Sequence, residues 1–319
     1  MSRRAIISDI HSNLVALEAV LADIKTQNVD AIVCLGDICG YGPQPLECID
    51  LVKQNAIWTL KGNHDEALFV EPVDFGKNAR LAIEWQRRIL EPKLDGSLAD
   101  EERWNWLQGL TSLHKEGDVM FVHASPRDPI YEYVLRDDFH DSGLGPTQKA
   151  KDIFACMEWL AFCGHSHRPG VVSEDYKWWR PAELENMTAT IKKGMKTIVN
   201  VGSVGQPRDG IPLACYVLFD YEEPSDQTKT GVFKPLPALP DIASDAETIV
   251  VHREHVDVKL EDDEATKTSE ELKGLRDKIM NLPRVTFRRV AYNIEEAQSR
   301  FRAIPELPDS NAQRLAKGL

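Results

Sequence analysis

Apolar residues in this chain alternate between short continuous runs and stripes at helical spacing. "RAIISDI" reads as a short buried strand. "SNLVALEAVLADI" follows as a helix, with Leu14, Leu17, Val20, Leu21 and Ile24 on one stripe and Ser12 or Asn13 as N-cap. "AIVCLGD" is a second strand, "PLECIDLVK" a helix opened by Pro45, and "AIWTLKGN" a third strand. This alternation predicts parallel βαβ units. Residues 76–110 read as helical, on Ala79, Ile83, Leu90, Trp104 and Leu107. From there to Tyr221 the pattern is strand-rich, in "DVMFVHAS", "WLAFCGH", "KTIVNVGS" and "LACYVLFDY", with one helix over about 146–157. The expected fold class is α/β, a layered β-sandwich of mixed sheets flanked by helices.

Beyond Tyr221 the texture changes. "EEPSDQTKTGVFKPLPALPDIASD" reads as linker or surface excursion and "EDDEATKTSEE" as a solvated charge run. "TIVVHREHVDVKL" between them has strand character; its His252 and His255 would face opposite ways on a strand and read as surface residues. A helix near 269–281, the strand "RVTFRRVAYN" and a final helical stretch close the chain, and no internal repeat is found. The predicted organisation is a core at 1–221, with an insertion at about 173–196, and a C-terminal extension at 222–319. That extension is partly linker-like and returns a strand and a helix to the core.

Charge narrows the partners. The 38 Lys and Arg stand against 51 Asp and Glu, a net charge of −13, so most of the surface repels a phosphate backbone. General nucleic-acid binding is not expected. A small anionic substrate remains compatible if cations in the site invert the local field. No run reaches the ~20 apolar residues of a bilayer span, and the apolar stretch after "MSRR" is too short for a signal peptide. Six scattered cysteines without a CxxC pair read as buried free thiols, which predicts a cytoplasmic protein with no membrane association.

The predicted strands end in polar residues. They supply Asp9 and His11, then Gly36-Asp37, then Gly62-Asn63-His64-Asp65, then His123, and finally His165 and His167 in "CGHSHRPG". Carboxyl ends of strands are where α/β sites assemble. Each residue alone has a structural explanation as a turn former, a cap or a satisfied core histidine. Together, five of the nine histidines with three carboxylates and a carboxamide would set like charges and lone pairs against one another unless a cation organised them. Seven mixed N and O donors exceed the roughly four that one tetrahedral zinc takes. They suit two divalent ions with a bridging carboxylate.

"SDIHSN", "GDICGYGP", "GNHD", "VHASP", "GHSHRP" and "NVGSVGQPRDG", in this order, resemble the calcineurin-like metallophosphoesterase superfamily. The tail, with "RRVAYN" and "LAKGL", resembles the small bacterial phosphoesterases grouped with diadenosine-tetraphosphatase-like proteins. The resemblance implies one metal held by Asp9, His11, Asp37 and His167, and a second held by Asp37, Asn63, His123 and His165. It further implies that His64 is catalytic, stabilising or protonating the leaving oxygen. The expected activity is hydrolysis of a phosphate ester by metal-bound hydroxide, a phosphodiester being favoured. A phosphomonoesterase, or a nucleotide pyrophosphohydrolase of the diadenosine-polyphosphate type, is the alternative, and a non-catalytic metal-binding scaffold comes behind both. Mn, Fe, Zn and Co all suit the ligands, and the partner is a small phosphorylated or nucleotide-like substrate.

Two departures stand out. The protein Ser/Thr phosphatases carry GDxxDRG; "GDICGYG" has Gly40 where that Asp would be, which leaves Asp65 as a candidate to orient His64. The stretches 173–196 and much of 222–280 read as insertions relative to compact family members. In the first, Trp178 and Trp179 either pack the insertion onto the sheet or belong to a cap over the site. "GYGPQP" is not a dinucleotide loop, since Pro45 stands where the third glycine belongs. Arg127, Arg168 and Arg208 each follow a site motif and are candidate phosphate contacts.

Overall fold

A computed structural model describes residues 2–93, 96–139, 145–222 and 282–319. The predicted strand around His252 and His255 and the helix near 269–281 lie outside the described residues. Two six-stranded mixed sheets form the centre. The first contains β1 (Ser2–Ile7), β2 (Ala31–Cys34), β3 (Ala56–Thr59), β9 (Thr188–Thr190), β11 (Ala214–Tyr221) and β12 (Arg284–Val290), in the order β3-β2-β1-β11-β12-β9. The second contains β4 (Leu113–Glu116), β5 (Val119–Val122), β6 (Leu160–Cys163), β7 (Gly170–Ser173), β8 (Trp178–Trp179) and β10 (Thr197–Asn200), in the order β4-β5-β6-β10-β7-β8. β1, β2 and β3 are mutually parallel, as are β5, β6 and β10.

Strand alternation explains the layering. Ile6, Val33, Val217 and Phe219 of the first sheet meet Phe121, Phe162 and Val199 of the second in the inner core. The opposite face of the first sheet, through Ala5, Ile7 and Cys34, packs on helices α1 (Leu14–Lys25) and α2 (Pro45–Asn55). Met120, Ala161 and Ile198 of the second sheet pack on α7 (Gln148–Ala155) and on Phe139 of the short α6 (Arg136–Phe139). Asn13 caps α1, its side chain accepting from the Ala16 N–H at 3.2 Å. The helical stretch 76–110 is two helices, α4 (Lys77–Leu90) and α5 (Leu98–Gln108). Pro92 explains the break: it pushes Glu91 into the extended backbone observed there.

In the first sheet β12 lies between β11 and β9. Helices α8 (Ile294–Arg302) and α9 (Asp309–Leu315) add Ala297, Phe301, Ala312 and Leu315 to the core around α1. The segment 173–196 stitches the sheets together, giving β8 to the edge of one and β9 to the edge of the other. Trp178 packs against Gly170, where a Cβ would lie 2.5 Å from the indole, and beside Phe139. Packing, not a cap, is what Trp178 provides; Trp179 is 46% exposed on the edge strand. Among the described residues no helix is long and apolar enough to cross a membrane.

Candidate metal centre

The C-terminal ends of β1, β2, β5 and β6, with the turn after β3, converge on one spot. A short helix, α3 (Asn63–Glu66), follows β3 there. The backbone is bent hard to bring side chains inward: Asp9, His11, Asp37, His165 and His167 all have positive φ, between 50° and 61°. Such left-handed conformations cost energy for non-glycine residues and persist where the surroundings fix them. Here hydrogen bonds do so: the N–H groups of Ile10 and His11 both donate to the Asp37 carbonyl, at 2.8 and 2.9 Å. Two glycines are obligatory neighbours. A Cβ on Gly62 would lie 2.0 Å from Asp37 Oδ1, and one on Gly164 would lie 2.3 Å from Asp9 Oδ2. Asn200, at the end of β10, steadies the second loop by donating to the Gly164 carbonyl at 2.6 Å and to Ser166 Oγ at 3.0 Å.

Two groups of potential ligand atoms result, each within 4.8 Å: Asp9, His11, Asp37 and His167, and Asp37, His123 and His165. Asn63 Oδ1 lies 3.1 Å from His123 Nε2, beside the second group. His11 Nδ1 donates to the Cys39 carbonyl at 2.9 Å and His167 Nδ1 to the Gln206 carbonyl at 2.5 Å. Both Nε2 atoms therefore carry lone pairs, yet they face each other at 3.0 Å. Asp37 Oδ2 is buried without a hydrogen bond, 3.5 Å from His11 Nε2 and 3.4 Å from His123 Nε2. Converging lone pairs with a bare carboxylate oxygen are what a cation resolves, so the residues fit divalent ions.

The protonation states agree. Burial pushes His11, His165 and His167 down, His165 to about 3. Burial opposes the charge on Asp9 and Asp37, yet both carboxyls lie below the usual range, Asp37 chiefly through the neighbouring His123. Neutral imidazoles with ionised carboxylates form the donor state a metal requires. His123 differs: burial would lower it, but Asp37 outweighs burial and pushes it up to about 9. In the metal-free chain a proton there answers the Asp37 charge.

His64 lies beside this cluster. Its ring is wedged among His11, Tyr41 and Phe75, with centroids at 4.7, 4.6 and 4.9 Å. Its Nδ1 is buried against Gly40 with no hydrogen-bond partner, and burial pushes the ring down to about 4. Asp65 does not orient it. That carboxylate instead accepts from the N–H groups of Cys39 and Gly62, both at 3.0 Å, and Ile38 at 3.4 Å, tying the two loops together. Gln86, from α4, adds a tie that no motif announces: it accepts from the Gly40 N–H and donates to the Gly42 carbonyl and Ser12 Oγ.

The three arginines divide. Arg208 comes to the site, over the Tyr41 ring at 5.4 Å, and its charge depresses both His64 and His167 after burial has done so. Arg168 donates to the Arg208 carbonyl at 3.3 Å. Arg127 is not free to meet a substrate: its guanidinium pairs with Glu132 and, at 3.0 Å, with Asp152.

Comparison with known proteins fits this architecture. The calcineurin-like phosphoesterase superfamily domain matches residues 3–224. Uncharacterized protein MJ0912 of Methanocaldococcus jannaschii is 37% identical over 226 residues, covering 69% of this chain and 83% of that protein. The crystal structure of a metallophosphoesterase from Sphaerobacter thermophilus superposes with a TM-score of 0.66 at 31% identity, covering 100% of this chain and 99% of that one. Hypothetical protein PH1004 from Pyrococcus horikoshii OT3 shares the fold, with a TM-score of 0.59 at 17% identity and the same coverage. The chain belongs to the calcineurin-like phosphoesterase superfamily. It is a metal-dependent hydrolase acting on phosphate esters.

Proposed function

We propose that this enzyme hydrolyses phosphodiesters at a dinuclear centre. Asp9, His11, Asp37 and His167 hold one ion and Asp37, Asn63, His123 and His165 the other. The observation that carries this reading is Asp37, the carboxylate common to both groups of donor atoms. Two divalent ions, when bound, supply a water of lowered pKa and neutralise charge on phosphate oxygens. Asp37 is held for the bridging role by the backbone N–H of His64, which donates to its Oδ1 at 2.8 Å and leaves Oδ2 unengaged. His64, a neutral imidazole at physiological pH, would offer its ring N–H as a hydrogen bond to the leaving oxygen and so stabilise the charge that develops there. Arg208 places one positive charge beside His64 and His167. Arg127 is engaged by Glu132 and Asp152 and Arg208 by Gln206, so few guanidinium donors are left to meet the second charge of a monoester, which supports the diester reading. The mixed N and O ligands suit Mn, Fe, Zn or Co. Five buried free thiols support a reducing, cytoplasmic setting.

The test combines metal analysis with turnover of bis(p-nitrophenyl) phosphate, p-nitrophenyl phosphate and a dinucleoside polyphosphate, each with the four metals. The expected result is two ions per chain and a kcat/KM for the diester at least about tenfold above that for the monoester, a difference of ~1.4 kcal/mol. One ion at full activity would sink the dinuclear assignment. A preference for the dinucleoside polyphosphate would move the substrate to pyrophosphate bonds.

A further inference from the structure

The loop 125–135, between β5 and α6, carries two tyrosines outside every motif, and it is tied down at several points. Ser125 Oγ donates to Glu132 at 2.6 Å, Arg127 pairs with the same carboxylate and with Asp152 of α7, and Asp128 Oδ1 accepts from the N–H groups of Ile130 and Tyr131, both at 3.1 Å. So anchored, the loop meets His165 twice. The Tyr131 carbonyl lies 3.1 Å from His165 Nε2, which donates to it, and the Tyr133 ring is stacked on the imidazole at 4.0 Å and 22°. His165 is only 4% exposed, whereas Tyr133 is 42% exposed and Tyr131 49%. The Tyr133 ring thus lies flat against a residue of the second donor group and reaches the surface beside it. A phenol ring held flat beside an imidazole of the donor cluster while much of it stays exposed offers a rigid, preorganised aromatic surface next to the centre.

We propose that Tyr133 is the stacking platform of a subsite that selects phosphate esters bearing a planar ring, an aryl group or a nucleobase, over alkyl esters of equal charge. The inference rests on the phosphoesterase reading of the same centre and adds its specificity. Arg127 and Glu132 serve the platform by fixing its loop.

Equilibrium binding to the full chain loaded with Mn, read by calorimetry, tests this without turnover. The probes are phenylphosphonate and cyclohexylphosphonate, which match in charge and size and differ in planarity. The expected preference of the wild-type chain is about 3- to 10-fold for the phenyl compound. It falls to about 1 in Tyr133→Leu and stays in Tyr133→Phe, which keeps the ring and loses the hydroxyl. A preference that survives in Tyr133→Leu, or vanishes in Tyr133→Phe, overturns the platform while leaving the phosphoesterase reading intact. If Tyr133→Leu loses metal because His165 has lost its neighbour, Tyr133→Trp decides: its larger face must raise the preference, and an unchanged or smaller one overturns the proposal. If neither phosphonate binds the wild-type chain, the platform falls, while the phosphoesterase reading, which turnover of the ester panel tests, stands.

Discussion

The two halves of the metal centre are built differently. Asp9, His11, Asp37 and His167 are almost fully buried, and both imidazoles are pinned through Nδ1 to backbone carbonyls of neighbouring loops. Three of the four follow strands of the first sheet. The other half, around His123 and His165, comes from the second sheet and borrows Asp37 and Asn63 from the first. Its His165 is oriented by a carbonyl and a ring from the loop 125–135. The first half is therefore fixed by the sandwich alone, whereas the second, although His123 Nδ1 also meets the Leu35 carbonyl at 3.1 Å, depends in addition on an anchored surface loop. A half held by the sandwich alone suits the common chemistry of phosphoryl transfer, and a half bordered by a surface loop suits choice of substrate.

Asp37→Asn breaks both halves at once, because an amide cannot bridge two cations. Activity should fall by at least ~10²–10³-fold, with bound metal dropping from two ions towards one or none by elemental analysis. Full activity with two metals would remove Asp37 from the bridge.

Chelation should expose the cost of the unpaired donors. Metal at ~100 times its Kd adds about 2.7 kcal/mol per site, so stripping should lower the melting temperature by about 5–10 °C, and Mn should restore it. The pH dependence has a definite sign. The Asp9 and Asp37 carboxyls lie below their ordinary value in the folded chain. Their stabilisation is thus present above the usual carboxylate pKa of ~4 and is lost as pH falls below it. A metal-free chain whose stability rises on acidification through that range would contradict the assignment.

His64→Ala separates chemistry from metal binding. Both ions should stay, while kcat falls ~10²-fold for poor leaving groups and less for good ones. Equal losses across leaving groups would argue against stabilisation of the leaving oxygen by His64. The mildest change, Glu132→Gln, loosens the loop alone. It should weaken the second metal by a few-fold, on the order of 1 kcal/mol, and leave the first unchanged in a stepwise metal titration. Equal weakening of both would erase the distinction between the halves.

Legibility in the sequence followed the same division. β1, α1, β2, α2 and β3 were readable because each buries one face or both against a neighbour next to it in sequence, which imposes a period on the residues. The helical stretch 76–110 was readable as helix, but its division required weighing Pro92 above periodicity. The Trp178-Trp179 pair carried no sign of its destination: a hydrophobic aromatic reads the same in a sheet edge as over a site. Arg127 follows a site motif like Arg208, and only tertiary proximity decides that Arg127 pairs with Glu132 and Asp152 while Arg208, held by Gln206 Oε1, lies over Tyr41 beside the centre.

What the sequence by itself determined is the family, the alternation of layers and the set of residues at the strand ends. These depend on local periodicity and on residue chemistry, both of which are written along the chain. The tertiary structure alone decided that Asp65 ties loops rather than orienting His64, that aromatic rings and Gly40 hold His64 in place, and that Gln86 and Tyr133 border the centre. Those roles depend on distances between residues far apart in the chain, set by how two twisted sheets pack and by five left-handed backbone turns, and no spacing along the sequence encodes them.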